Sequence, residues 1–193
     1  MDWHILEIIG AAVGLVYLWL EYKASVWLWL TNIIMPAIYI FVYYQSGFYA
    51  DMGINIYYLV ASIYGWVVWL TKSSKEKPMP ITHTPKKYIL PLSAISVAAF
   101  AVIAWILITF TDSTVPYGDS FTTALSIVAL WMLARKYVEQ WLVWIVVDVV
   151  CTGLYLYKGL YPTAILYGLY SVIAVAGYFK WKKMMKLDNE TMR

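Results

Sequence analysis

Charge is what this chain has least of. Aspartate, glutamate, lysine and arginine make up 13% of its 193 residues, against roughly 25% in an ordinary soluble domain. Hydrophobic residues reach 63%, above the usual ~45–50%. So few charges cannot clothe a water-facing surface around so much apolar side chain, and a soluble globular protein is excluded. Cysteine is nearly missing: Cys151 alone rules out an intrachain disulfide and a cysteine-based metal cluster. His4 and His83 are far apart and outside the apolar stretches, so neither a metal site nor a cofactor is expected. A net charge of +3 is too small to point to nucleic acid. The Gly-x-x-x-x-Gly-Lys-Ser/Thr phosphate loop, Gly-x-Ser-x-Gly and His-Glu-x-x-His do not occur, which argues against ATP-driven pumping and against an enzyme. The opening Met1-Asp-Trp-His has no positive n-region, so the first apolar stretch is expected to be retained.

Aromatic and apolar residues fill the space that charge leaves. Eleven Trp, eighteen Tyr and six Phe suit membrane interfaces and binding cavities. Apolar windows of about 20 residues predict an all-α integral membrane protein with seven transmembrane helices near 4–21, 25–44, 54–71, 88–110, 120–134, 138–157 and 162–181. The fifth is short, and the second and sixth carry polar residues. Residues 72–87, with five lysines and three prolines, read as a solvated basic linker on the cytoplasmic side. Seven spans place thirteen of the fourteen basic residues on one side and only Lys158 on the other. The positive-inside rule then predicts the N-terminus out and the C-terminus in. Glu7 and Glu21, near span ends, are expected to be solvated, and Cys151 to be a packing residue.

At an offset of 112 residues the chain matches itself without a gap. The pairs are Val16/Val128, Leu18/Leu130, Trp19/Trp131, Trp29/Trp141, Tyr43/Tyr155, Gly47/Gly159, Tyr49/Tyr161, Tyr58/Tyr170, Gly65/Gly177 and Trp69/Trp181. Spans one to three thus repeat as spans five to seven. The predicted organisation is a first three-helix repeat (1–71), the linker (72–87), a connector helix (88–110) and a second repeat with a basic tail (111–193). An even number of spans separates equivalent helices, so this is a 3+1+3 parallel pseudo-repeat, an arrangement known among transporters that bind substrate near the midplane.

In span six, Trp141, Trp144, Asp148, Thr152 and Tyr155 share one helical face. Asp148 lies about halfway along, where a carboxylate is costly unless it meets a cavity or a partner. No basic residue is predicted inside any span, so a cationic ligand, a proton or hydrogen-bond donors must satisfy it. Tryptophan and tyrosine beside a carboxylate suit a cationic aromatic ring. Span three offers Asn55, Tyr58, Ser62 and Trp66; Asn32 stands at the position equivalent to Trp144, and Tyr167 at that of Asn55. These residues are expected to line one cavity from both halves. For Asn32, Asn55 and Ser62, interhelical hydrogen bonding is the competing reading; for Trp141 it is a place in the interfacial aromatic belt.

The run Arg135-Lys-Tyr-Val-Glu-Gln-Trp-Leu-Val-Trp, then Asp148, then Tyr157-Lys-Gly-Leu-Tyr, resembles the PnuC family of vitamin transporters. So do Asp119-Ser ahead of Leu125-Ser-Ile-Val-Ala, and Ile63-Tyr-Gly-Trp-x-x-Trp at the end of span three. The resemblance implies a fold similar to the SWEET sugar transporters, commonly a homotrimer in the bacterial inner membrane. It also implies facilitated diffusion of an unphosphorylated vitamin that a cytosolic kinase traps. Members of the nicotinamide riboside type align Gln with Asn55, Asn with Ser62 and Asn with Asp148. Because this chain departs at all three, thiamine is the expected substrate and nicotinamide riboside the alternative. A ligand sensor or scaffold that moves nothing is the competing class.

Overall fold

The computed structural model describes residues 3–46, 49–73 and 79–191. The side chains of His4, Glu7, Tyr43 and Tyr49, the repeat residue Gly47, and Lys75, Lys77 and Pro78 of the linker lie outside this description. Seven helices follow one another: α1 (Trp3–Tyr22), α2 (Leu28–Ser46), α3 (Tyr49–Thr71), α4 (Lys86–Phe110), α5 (Pro116–Ala134), α6 (Gln140–Tyr157) and α7 (Tyr161–Thr191). Among the described residues there is no strand, only an isolated parallel bridge between Thr82 and Tyr137. Four helices are long and apolar enough to cross a membrane by length and composition: 52–71, 86–110, 140–157 and 161–188. The protein is an all-α integral membrane protein.

The chain divides into two compact units, Met1–Pro80 and Ile81–Arg193. In the first, α2 packs along α3 and α1 leans on α2. In the second, α4 packs on α5, α5 on α6 and α6 on α7. Helix α5 is the most enclosed: Ser120, Thr122, Ala124, Ser126 and most of 128–134 are buried. Its hydroxyls are satisfied by its own backbone, Ser120 donating to Pro116 O at 2.6 Å and Ser126 to Thr122 O at 2.8 Å. A helix covered by protein on two sides can be polar where a lipid-facing one cannot. That is why it is weakly apolar in sequence.

The 112-residue repeat is written into the backbone. After α1, the N–H groups of Lys23, Ala24 and Ser25 donate to Trp19 O (3.2 Å), Glu21 O (2.8 Å) and Leu20 O (2.9 Å). After α5, Arg135, Lys136 and Tyr137 donate to Trp131 O (3.2 Å), Leu133 O (2.8 Å) and Met132 O (3.0 Å). Each set is a Schellman cap, whose penultimate residue must be left-handed. Glycine is the usual choice there, yet Ala24 (φ 50°) and Lys136 (φ 53°) occupy the position. A cation also covers the preceding tryptophan in both turns: Lys23 Nζ lies 4.4 Å from the Trp19 ring and the Arg135 guanidinium 5.4 Å from Trp131.

The helix pairs are locked by a second shared device. Trp29 of α2 meets Trp69 of α3 edge to face, with centroids 5.5 Å apart and planes at 89°. Trp141 of α6 meets Trp181 of α7 at 5.7 Å and 88°. In each case the first indole lies on a glycine of the facing helix. A Cβ on Gly65 would overlap the Trp29 ring, and one on Gly177 would come within 2.7–2.8 Å of Trp141 atoms. Only hydrogen at these positions lets the ring lie flat against the helix. Trp29, Trp141 and Trp181 are fully buried.

Three expectations are corrected. Helix α7 does not stop near 181 but runs on to Thr191, so much of the basic tail is helical, with Met185 buried. The linker is not solvated throughout: Met79 and Ile81 are buried. Thr82 N–H donates to Lys136 O at 3.1 Å and Thr82 O accepts from Val138 N–H at 3.0 Å, which straps this segment to the α5–α6 turn. Glu21 is not solvated but 1% exposed, and it accepts a hydrogen bond from the Tyr17 hydroxyl. A carboxylate at the last turn of α1 can remain buried because a donor on the preceding turn meets it.

The strap is closed by Glu139. Its Oε2 accepts from both the N–H and the hydroxyl of Thr84, each at 2.8 Å, and its Oε1 lies 2.5 Å from His83 Nδ1. Burial pushes this carboxyl up, but the hydrogen bonds outweigh it and hold the group below the ordinary glutamate range. Burial also draws the Lys136 ammonium down to about 8, against the opposing pull of Asp188 in the α7 extension.

Candidate functional site

Asp148 is 6% exposed in the middle of α6. Among the described residues its carboxylate makes no ion pair and accepts no hydrogen bond. The Thr152 hydroxyl, one turn on, donates to the backbone oxygen of Asp148 at 2.7 Å rather than to the side chain. One turn back, the Trp144 indole N–H is buried without an acceptor. Residues four apart share a helical face. The same face therefore carries an acceptor lacking donors and a donor lacking an acceptor. Leaving either group dry costs on the order of 1–3 kcal/mol, so the pair is matched to a ligand that both donates and accepts.

Aromatic residues of α6 and α7 lie near Asp148. Tyr155 and Tyr167 have ring centroids 5.0 Å apart, and the Tyr167 hydroxyl donates to that of Tyr155. Tyr170 lies 5.5 Å from Tyr167. The Asp148 charge acts on Tyr167, Tyr170 and Cys151 alike, which places all of them around one spot inside the second unit. Their quadrupoles favour a cation over an anion there.

The structure thus brings Trp144, Asp148, Thr152, Tyr155 and Tyr167 together. Trp141 stands apart from them: it is fully buried between Gly177 and Trp181, so it belongs to the packing of α6 on α7 and not to an interfacial belt. In the first unit, Asn32, Asn55 and Tyr58 are half-buried. Ser62 is fully buried and donates to Tyr58 O in its own helix at 2.6 Å, which turns its hydroxyl away from any neighbour. Two members of the second unit's cluster, Tyr170 and the buried Cys151, were not assigned by sequence. Tyr170 follows Tyr167 by three residues and Cys151 follows Asp148 by three, so helical spacing alone carried the signal.

An unpaired carboxylate at mid-span of an apolar helical bundle marks a candidate functional site. The family described as nicotinamide mononucleotide transporter matches residues 4–183, and the chain belongs to that family. The nicotinamide riboside transporter PnuC of Escherichia coli (strain K12) is 24% identical over 205 residues, covering 93% of this chain and 86% of the relative. The riboflavin/roseoflavin transporter RibM of Streptomyces davaonensis is 23% identical over 193 residues, covering 97% and 90%. A crystal structure of the vitamin B3 transporter PnuC superposes with a TM-score of 0.69 at 25% identity, covering 91% of this chain and 80% of that one. The protein is a multi-pass inner-membrane vitamin transporter of the PnuC type, not an enzyme.

Proposed function

We propose that the protein carries an unphosphorylated, cationic, aromatic B vitamin into the cell by facilitated diffusion, and that nicotinamide riboside is its substrate. The observation that carries this reading is the pair of unsatisfied groups on α6. The carboxamide of nicotinamide offers a carbonyl to the Trp144 N–H and an amino group to Asp148. Its pyridinium ring brings the positive charge that Asp148 and the tyrosines attract. The names of the PnuC relatives support the same choice. Asn32, Asn55 and Tyr58 are the first repeat's candidates for contact with the ligand; Ser62, bonded to its own helix, is not.

Thiamine is the second reading, because the same pair of groups also suits it. An aminopyrimidine also donates from an amino group and accepts at a ring nitrogen, and the thiazolium is cationic. Riboflavin, carried by the name of RibM, is neutral and leaves the Asp148 charge unmatched. The remaining features of the proposal are N-out, C-in orientation, assembly as a homotrimer, and trapping of the product by a cytosolic kinase.

Proteoliposomes loaded with buffer alone and offered radiolabelled nicotinamide riboside, thiamine or riboflavin separate these readings. Saturable accumulation of nicotinamide riboside ahead of the other two is expected. Binding without accumulation by folded protein makes it a sensor. Preference for thiamine selects the second reading. Uptake is expected to be indifferent to an imposed pH gradient once the membrane potential is clamped; a dependence on that gradient would make Asp148 a proton carrier.

A further inference from the structure

At the C-terminal end of α6 a lysine and an aspartate of the second unit pair. Lys158 caps α6, and its Nζ lies 3.3 and 3.4 Å from the two carboxylate oxygens of Asp119 in the first turn of α5. Ser113 Oγ donates to the same carboxylate at 3.1 Å. The helices approach closely there because Gly118 lies against Leu154, where a Cβ would come within 2.6 Å of a leucine methyl. Lys158 and Asp119 keep 28% and 34% of their side-chain exposure. Their separation exceeds the ~2.7–2.9 Å of a tight charge-assisted bond. An ion pair this open to water is worth little in itself, about 0–1 kcal/mol, so another cation displaces the ammonium at small cost.

Asp119 is also connected inward. Its charge acts on Tyr155 and, together with that of Lys158, on Cys151. Tyr155 is bonded to Tyr167, which Asp148 reaches in turn. Along α6, ten residues separate Lys158 from Asp148, or roughly 15 Å at 1.5 Å per residue. Lys158 is the single basic residue on the side that the charge asymmetry assigns to the exterior, beside Asp112 and Asp119. The position equivalent to Asp119 in the first repeat is Glu7, but that of Lys158 is Ser46. The basic partner is particular to the second repeat.

We propose that Asp119 and Lys158 form a cation-exchange latch, in which the positive ring of the transported vitamin replaces the Lys158 ammonium on Asp119 before passing the tyrosines to Asp148. The inference deepens the functional reading above and rests on it. Lys158 acts as an internal competitor that the substrate must displace, and Asp119 as an outer recognition site for cations. Neutral molecules gain nothing from the exchange, so the latch selects for charge at entry.

The two partners are therefore expected to act in opposite directions. Initial uptake by full-length protein in proteoliposomes, measured with nicotinamide riboside and with thiamine, gives KM for each variant. Removing the acceptor in Asp119→Asn raises the KM of the transported cation about 5-fold, the upper range for an exposed charge pair. Removing the competitor in Lys158→Gln lowers it about 2- to 5-fold, while Lys158→Arg stays near the wild type. A pair that merely ties α5 to α6 would shift both variants the same way, and that result overturns the latch, as does no shift in either. Should Asp119→Asn elute as aggregate, the sign of the Lys158→Gln effect alone decides, an unchanged or raised KM being the refuting outcome. Wild-type protein that moves neither cation refutes the functional reading itself, and the latch falls with it.

Discussion

The two repeats share a skeleton and differ in what they hang on it. The cap geometry, the cation over the tryptophan, the perpendicular indole pair and the glycine beneath it occur in both, at the same sequence offset. Several polar positions do not correspond. Asp148 stands where the first repeat has Pro36, Trp144 where it has Asn32, Tyr167 where it has Asn55, and Leu133 where it has the buried Glu21. Contacts that set helix spacing tolerate little change in volume, whereas residues facing a ligand are bound only by the ligand. A doubled scaffold therefore carries a site whose acid, Asp148, and lone indole, Trp144, are not doubled. On the proposed reading, the positive charge of the substrate is met by the second repeat, and the first offers amides and hydroxyls.

The largest effects are expected where the repeats agree. Trp29→Ala and Trp141→Ala each remove a fully buried indole from its glycine seat, and each should cost ~3–5 kcal/mol of stability, read by unfolding in detergent. If one variant unfolds and the other is tolerated, the claim of a common skeleton breaks. Next come the positions where they differ. Asp148→Asn should weaken thiamine about 10- to 150-fold, the range of a charge-assisted hydrogen bond, and nicotinamide riboside less. Asn32→Ala in the first repeat should change either affinity by only a few-fold. Equal losses from the two would distribute recognition across both repeats. Titration calorimetry on folded protein settles the point.

Smaller effects sharpen the picture at the turns. Ala24→Gly relieves a left-handed alanine, a conformation costing roughly 1–2 kcal/mol, and should stabilise by up to about 1 kcal/mol once the added freedom of the unfolded chain is deducted. Lys136→Gly gives no such gain, because the Lys136 side chain is buried and interacts with Asp188. The smallest change belongs to the strap, which only the second unit carries. Its Glu139 is held below the ordinary carboxylate range in the folded state, so its stabilisation is complete above that range and disappears as pH falls through the lowered value. Glu139→Gln should abolish this acid-side loss, at a cost of about 0.5–1 kcal/mol near neutrality given the exposure of His83. An unchanged acid profile would remove Glu139 from the account.

How much of this could be read in advance depended on what each feature leaves in the sequence. Helix number was legible because lipid demands long apolar runs, and the Trp29/Trp141, Gly65/Gly177 and Trp69/Trp181 matches marked the repeat; neither the run of α7 to Thr191 nor the packing role of these pairs was. Asp148 announced itself as a charge where none belongs. The offset did not say that Trp141 would turn into the helix pair rather than toward a ligand, because residues 141, 144 and 148 share a face too wide to assign to one neighbour. Ser62 misled for a related reason: a serine hydroxyl can satisfy itself on its own helix. The docking of 81–84 was invisible because its partners, Lys136 and Val138, are distant in sequence, and the burial of Glu21 was missed because Tyr17, one turn back, was not weighed as its donor.

The paired indoles also supply a spectroscope. Four of the eleven tryptophans, Trp29, Trp69, Trp141 and Trp181, are held rigidly as two near-perpendicular couples at 5.5 and 5.7 Å, close enough for their excited states to mix. Each couple contributes an optical signal that reports whether its own helix pair is assembled, and it needs no label. Trp144 is different, a lone indole one turn from Asp148, so its emission is expected to follow occupancy of the proposed site. One chain thus broadcasts assembly and occupancy through the same residue type, and replacing Trp144 by phenylalanine silences the second signal while leaving the first.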